Sequence, residues 1–147
     1  MQLVTKIVAG YLVIVGLAVF LNLIATPLYH DGGPDYPVWK ILNWFMAVAV
    51  LIILFVGFLR KRVLDSAGED GASTLDHVRG SFVFYGGVVL AMLFFWEWFW
   101  TLNPDSETSD GAVTSHLVYF PLVDSLLTVL AFIVGKRMWR AGDGSQN

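Results

Sequence analysis

The segment Val38–Leu59, VWKILNWFMAVAVLIILFVGFL, decides the fold class of this 147-residue chain. It contains one charged residue, Lys40, and a helix of this length would be about 33 Å long. The hydrocarbon core of a bilayer is about 30 Å thick and needs about 20 apolar residues in a helix. The sequence therefore predicts an all-α polytopic membrane protein, a bundle of four transmembrane helices in a single domain spanning residues 1–147. The other three apolar runs are Leu3–Thr26, Phe82–Leu102 and Leu117–Met138.

The composition agrees with a membrane bundle and excludes several kinds of chemistry. Hydrophobic residues make up 56% of the chain and charged residues 14%, whereas a soluble globular domain carries about 25% charge. The absence of cysteine excludes thiolate metal ligation and iron–sulfur chemistry. The sequence has no glycine-rich phosphate loop, no serine nucleophile motif and no basic patch for nucleic acid. We therefore predict no catalytic motif, no cofactor and no nucleic-acid partner.

The basic residues predict the orientation of the four spans. Eight of the nine lysines and arginines fall at span ends that face one side, and Lys40 alone falls at the other. The positive-inside rule then places both termini and the 60–79 loop in the cytoplasm. The prediction is an integral protein of the plasma or inner membrane, in contact with anionic lipid on that side. The eight residues are Lys6, Arg60, Lys61, Arg62, Arg79, Lys136, Arg137 and Arg140.

Prolines and hydroxyl residues predict where the helices begin and end. Pro27 should end the first span, because proline cannot continue the hydrogen-bond ladder of a helix. Pro37 suits the first turn of the second span. Thr114 or Ser115 is a candidate N-cap of the fourth span. Pro121 lies within that span and should kink it.

The sequence contains a weak internal repeat. A shift of 70 residues maps the first span onto the third, and a shift of 78 maps the second onto the fourth. Two helical hairpins of the same orientation would form such a parallel repeat, although matches among Val and Leu are common in membrane helices. The hypothesis of a duplication depends on the aligned pairs Gly10/Gly80, Val13/Val83, Gly16/Gly86 and Gly57/Gly135.

Aromatic residues are concentrated near the outer ends of the spans, opposite the basic residues. An interfacial aromatic belt would explain tryptophans at the headgroup level. A belt alone would be more even between the two faces, and the segment 94–100, FFWEWFW, surrounds its helix. Both a belt and contacts with other helices or a partner protein stay open here. The residues that we expect to make such contacts are Trp44, Trp96, Trp98 and Trp100.

Four polar residues lie at membrane depth, one on each span. A charged group near the bilayer centre costs about 3 kcal/mol on insertion scales, so such groups normally face the bundle, a wet cavity or a partner. The four residues should form one layer in the outer half of the membrane. The candidate site therefore comprises Asn22, Asn43, Glu97 and Asp124, with His116 and Thr101 at its outer mouth.

Two interpretations of this layer stay open. Asn and protonated carboxyl groups can hold helices together by hydrogen bonds worth about 0.6 kcal/mol each. Alternatively, two acids at similar depth can exchange a proton or bind a cation, because adjacent like charges disfavour joint ionisation. A divalent metal on the outer face would need His30, Asp31, Asp35 and His116, which lack the fixed spacing of a strong motif. Exposed loop residues are the better interpretation, so no metal is predicted.

The leading functional hypothesis is a non-catalytic accessory subunit of a larger membrane enzyme complex, with other integral membrane subunits as partners. Subunits of respiratory and monooxygenase complexes have this size, which is an analogy of size alone. The alternative is a small proton- or cation-coupled transporter that uses Glu97 and Asp124. Small multidrug exporters also combine four spans with an intramembrane glutamate, but they carry it in the first span. The first span of this chain carries no glutamate, and Asn22 is its only residue in the predicted polar layer.

Overall fold

The protein is a bundle of four long helices, as the sequence predicts. The computed structural model describes residues 2–30, 36–71, 73–103 and 110–143, and the side chains of 68–70 and 110–117 lie outside this description. Each helix contains a segment that is long and apolar enough to cross a membrane. No strand occurs among the described residues. The helices are α1 (Gln2–Tyr29), α2 (Pro37–Gly71), α3 (Thr74–Thr101) and α4 (Asp110–Asp143).

The helix ends agree only in part with the sequence prediction. Helix α2 begins at Pro37, as predicted. Pro27 lies inside α1, which continues to Tyr29, so the predicted end at this proline is wrong. The loss of one N–H at the last turn does not by itself unwind the residues that follow. Helix α4 begins at Asp110, before the predicted N-cap at Thr114 or Ser115, which is also wrong. Pro121 lies inside α4, and a kink there stays a prediction.

The connection between α2 and α3 is much shorter than the 60–79 loop expected from the sequence. Helix α2 continues to Gly71, well beyond the apolar run. Ser73 is the N-cap of α3 and accepts a hydrogen bond from the backbone N–H of Asp76. Its hydroxyl also donates to Oδ2 of Asp76 at 2.7 Å. Both helices therefore extend past the hydrocarbon-length segment and form a capped turn at this end of the bundle.

The four helices pack mainly as two antiparallel pairs, α1 with α4 and α2 with α3. Glycines allow the close approach in both pairs. A Cβ atom at Gly57 of α2 would lie 3.1 Å from the Cα atom of Phe84 in α3. A Cβ atom at Gly135 of α4 would lie 2.9 Å from Cγ2 of Val13 in α1. Small residues at helix crossings are the usual route to tight packing within a membrane.

These two glycine contacts correspond in part under the internal repeat. The shift of 78 residues aligns Gly57 with Gly135, and the shift of 70 aligns Val13 with Val83. Gly57 faces the backbone of Val83 and Phe84, whereas Gly135 faces Val13. The two crossings thus share one aligned pair of positions, Val13 and Val83, whereas the other atoms near Gly135 belong to Ala9 and Leu12. The duplication stays a prediction.

The basic residues converge on one end of the bundle, here called the basic end. Lys6, near the start of α1, forms an ion pair of 2.6 Å with Asp143 at the end of α4. Arg60, Arg79 and Arg137, from three different helices, line one groove. The start of α1 and the end of α4 thus share this end of the bundle with the α2–α3 connection. The location of the basic end on the cytoplasmic side stays a prediction.

Candidate functional site

Three of the four predicted polar residues converge on one small cavity between α2, α3 and α4. Asn43, Glu97 and Asp124 are all buried, and Asp124 is fully inaccessible to solvent. The cavity has a volume of about 10 Å³, which is close to the minimum that holds one water molecule. We call it the polar pocket. Its remaining lining consists of Met46, Phe94, Trp98, Phe120 and Val123.

Asp124 is held by a tryptophan from another helix. Nε1 of Trp39 in α2 donates a hydrogen bond of 2.8 Å to Oδ2 of Asp124 in α4. The ring of Trp39 stacks on Phe120, with centroids 5.8 Å apart, and meets the edge of Tyr36. The other carboxyl oxygen of Asp124, Oδ1, is buried and has no hydrogen-bond partner among the described residues. One oxygen is therefore fixed by the indole, while the other stays available to a proton, a water molecule or an ion.

The sequence pattern contains a signal for Trp39 that the sequence-based prediction did not use. We expected contacts with the membrane surface or with other proteins from the other four tryptophans near the outer ends of the spans. Trp39 was not included among the residues of the polar layer. Trp39 precedes Asn43 by four residues and Met46 by seven, so all three lie on one face of α2. That face carries the polar pocket. A tryptophan at helical spacing from a buried amide is a candidate donor to any acid in the same layer.

Asn22 does not line the polar pocket. Its Oδ1 accepts a hydrogen bond of 2.7 Å from the hydroxyl of Tyr29, and its backbone carbonyl accepts one of 2.6 Å from Thr26. Both partners lie on its own helix, near the end of α1. Its Nδ2 atom is buried without a partner among the described residues. The structure thus brings together three helices at the pocket rather than the four that we expected.

The hydroxyl residues near the acids bond to backbone rather than to carboxyl groups. Thr101 donates to the carbonyl of Trp98, one turn earlier in α3, at 2.7 Å. Thr128 donates to the carbonyl of Gly16 in α1 at 3.4 Å, which adds a polar contact to the α1·α4 pair. The predicted outer-mouth residue His116 belongs to α4, but its side chain lies outside the described residues.

The predicted aromatic contact residues separate into buried and exposed groups. Trp98 is buried and meets the exposed Trp44 edge-to-face, with centroids 4.8 Å apart. Trp96 and Trp100 are each about half exposed and meet each other at 6.2 Å. Trp96 also packs on Tyr119 of α4. The end of the bundle that carries these residues is called the aromatic end. Some of its rings line the polar pocket, and others are exposed on the surface outside it.

The four residues considered for an outer-face metal do not define a site in the described part of the chain. The ring of His30 stacks on Tyr36 with centroids 3.9 Å apart and an interplanar angle of 6°. Asp31, Asp35 and the side chain of His116 lie outside the described residues. No group of three or more His, Asp or Glu side chains with the geometry to hold a metal occurs within residues 2–30, 36–71, 73–103 and 110–143 where side chains are described.

The geometry defines a class of protein, a small integral membrane protein with a closed polar pocket in a four-helix bundle. No protein-family model matches the sequence, and no curated protein and no solved structure matches it either. Two carboxyl groups in one water-sized cavity can share a proton or hold a small cation. The same groups can also serve as hydrogen-bonding contacts that fix the positions of three helices.

Proposed function

We propose that this chain is a non-catalytic subunit of a larger membrane complex and that its aromatic end packs against another integral membrane protein. The observation that carries the proposal is an exposed stripe on α3. Met92, Trp96, Phe99 and Trp100 are all at least half exposed and follow one another at spacings of four, three and one. These spacings place their side chains on one face of the helix.

The stripe has the character of a protein interface. Tryptophan, phenylalanine and methionine are enriched in interfaces relative to the rest of a protein surface, and large aromatic side chains dominate the binding energy there. A lipid-anchoring belt would place tryptophans at both membrane surfaces. Here Trp139 is the one tryptophan near the basic end. The unequal distribution supports a partner at the aromatic end.

The small size of the polar pocket favours a subunit over a transporter of organic substrates. A drug-sized ligand needs a cavity of about 300 Å³ or more, whereas the space beside Glu97 and Asp124 measures about 10 Å³. Asp124 also has one oxygen bound to Trp39. Such an arrangement suits an internal contact that holds α2, α3 and α4 in register.

Photo-crosslinking in the native membrane tests the subunit proposal. A benzophenone amino acid at Trp96 or Phe99 should yield a discrete crosslinked product with a second polypeptide. Phe55 provides the matched control, because it is an aromatic residue of α2 with 61% exposure and lies outside the stripe. The same crosslinked product from Phe55 would contradict the proposal. It would also be contradicted if none of the three positions gave a crosslink and the protein purified alone and functioned in liposomes.

The alternative function is proton or cation transfer through the polar pocket. It is favoured by one specific observation: in the same cavity as Glu97, the buried Oδ1 of Asp124 has no hydrogen-bond partner in the described part of the chain. Reconstituted protein with Glu97→Gln or Asp124→Asn would distinguish the two functions. Loss of an ion-dependent flux in a variant that still assembles would establish the transporter. Intact function in both variants would leave the pocket a structural contact.

A further inference from the structure

We propose that a groove between α3 and α4 at the basic end binds an anionic phospholipid, with the phosphate held by arginines and an acyl chain along α3. The groove has a volume of about 610 Å³ and is lined by Arg60, Arg79 and Arg137. Its other lining residues are Asp76, Val78, Phe82, Val83 and Ile133. The three arginines and one aspartate give the groove a formal charge of +2, which complements a phosphate.

The groove has a charged part and an apolar part in the order that a lipid requires. Arg79 and Arg137 lie near the ends of their apolar runs, and Phe82 and Ile133 lie about one turn deeper. A second space of about 610 Å³ shares Val78 and Phe82 with the first. The second space continues along α3 past Ser81, Tyr85, Gly86 and Val89 to Leu126 of α4.

The loose packing of α3 on α4 leaves room for a chain there. These two helices contact each other less extensively than the α1·α4 and α2·α3 pairs. From Arg79 to Val89 the helix rises about 15 Å, which is half of a hydrocarbon core. An acyl chain of one leaflet has this reach. A free phosphate ion would use the arginines and leave the apolar space without a role.

Arg60 supplies a second observation that points to a ligand. Its side chain is 16% exposed, and its Nη2 lies 3.7 Å from Oδ1 of Asp76, beyond ordinary hydrogen-bond length. Its Nε is buried and has no hydrogen-bond partner among the described residues. Arg60 passes close to Gly80, where a Cβ atom would lie 3.6 Å from Nε. This distance is an ordinary van der Waals contact, so the arginine of α2 packs directly against the backbone of α3.

The positions that the predicted internal repeat aligns with these arginines are not basic. The shifts of 70 and 78 residues align Arg79 with Ala9 and Arg137 with Leu59. The equivalent position to Arg60 is Met138. The corresponding positions on α1, α2 and α4 therefore lack the three arginines, and Lys6 stands at the position of Asp76. Orientation of the spans requires basic residues at this end, but it does not require three of them to line one groove.

Native mass spectrometry of the full chain tests the lipid site, with phosphatidylglycerol and phosphatidylcholine as probes. Arg79→Gln with Arg137→Gln should weaken phosphatidylglycerol retention by at least about tenfold, because both residues line the groove and would hold the phosphate by charge-assisted hydrogen bonds. Arg62→Gln with Arg140→Gln removes two charges from the same end outside the groove and should change retention less than about threefold. Equal losses in both double variants would mean a general surface potential and overturn the site.

Two further arms identify the ligand. Val89→Trp should fill part of the apolar space, because Val89 lines it and is half exposed, and should lower phosphatidylglycerol retention. Inorganic phosphate that displaces the lipid at millimolar concentration would overturn the lipid assignment, because it would show that the acyl chain adds little. Arg79→Lys with Arg137→Lys keeps the charge but loses the bidentate geometry of the guanidinium group. Phosphatidylglycerol retention between that of the native chain and that of the glutamine double variant would support direct contact with the phosphate. Unchanged thermal unfolding shows that each variant is folded.

Discussion

The indole of Trp39 donates its single hydrogen-bonding proton to Oδ2 of Asp124 across 2.8 Å, and this contact joins α2 to α4 in the buried interior. The two residues are 85 positions apart in the chain. They belong to helices that make few other contacts with each other. The pair is therefore one of the contacts that join the α2·α3 pair to the α1·α4 pair at the aromatic end.

Trp39→Phe should destabilise the bundle by about 1–3 kcal/mol, because it leaves both oxygens of a buried carboxyl group without a donor. Phenylalanine keeps a six-membered ring that can stack on Phe120 but is smaller than the indole, so part of the loss comes from the space left behind. Unfolding in detergent micelles, followed by circular dichroism, measures the loss. Trp44→Phe is the matched control, since Trp44 is 62% exposed, and its effect should stay within about 0.5 kcal/mol. Equal effects of the two changes would deny the hydrogen bond its structural role.

Asp124→Asn and Asp124→Ala should differ in the free energy of unfolding. The amide oxygen of asparagine can accept the same bond from Trp39, so the asparagine variant should remain within about 1 kcal/mol of the native chain. Alanine removes the acceptor and leaves a void, and it should cost at least about 2 kcal/mol more. Both variants are measured by the same unfolding assay. If asparagine is as damaging as alanine, the carboxyl group itself is needed for folding.

Much of the fold could be predicted from the sequence because the signals are local. A run such as Val38–Leu59 is apolar along its whole length, and no packing partner is needed to predict that it crosses a bilayer. The convergence of Arg60, Arg79 and Arg137 follows from the alternation of four antiparallel spans. The end of α1 beyond Pro27 was mispredicted because proline disfavours helix continuation without forbidding one more turn.

The polar site was predicted less well because depth alone does not specify a face. Asn22, Asn43, Glu97 and Asp124 lie at similar depths, but the rotation of each helix decides which of them meet. Asn22 bonds within α1, whereas the other three share a cavity. Hydropathy does not encode that rotation in a span that is apolar on all sides.

Gly57→Ala and Gly135→Ala should each destabilise the chain by about 1–3 kcal/mol, because the added methyl group has no space at the helix crossing. At Gly57 the methyl group would meet the backbone of α3 at 3.1 Å, and at Gly135 it would meet Val13 at 2.9 Å and the carbonyl of Ala9 at 3.2 Å. The repeat predicts losses of similar size. Unfolding of the two variants in the same detergent measures both.

Gly10→Ala provides the control for the glycine series. The nearest atom to a Cβ at Gly10 is 4.0 Å away, in Trp139, so the change should raise stability by up to about 1 kcal/mol through helix propensity. Destabilisation at Gly10 equal to that at Gly57 would mean that the loss arises from something other than close packing. A loss at one crossing but not at the other would argue against equivalent contacts in the two halves.

The orientation of the chain can be tested with single cysteines, because the native sequence contains none. Ser145→Cys lies beyond the basic residues that end α4, and Ser106→Cys lies between α3 and α4. Since eight of nine basic residues share the side of Ser145, the positive-inside rule places that cysteine in the cytoplasm. A membrane-impermeant maleimide should therefore label Ser106→Cys in intact cells. Ser145→Cys should be labelled only after the membrane is opened.

The labelling pattern also checks the number of spans. A reversed pattern would keep the four-helix fold but place the arginine groove on the outer side, away from the anionic cytoplasmic leaflet that its charge complements. Labelling of both cysteines in intact cells would mean that residues 106 and 145 lie on the same side. Helix α4 would then not cross the membrane, which contradicts four crossings. The ion pair of 2.6 Å between Lys6 and Asp143 bears on the same point, because it requires the start of α1 and the end of α4 to lie on one side.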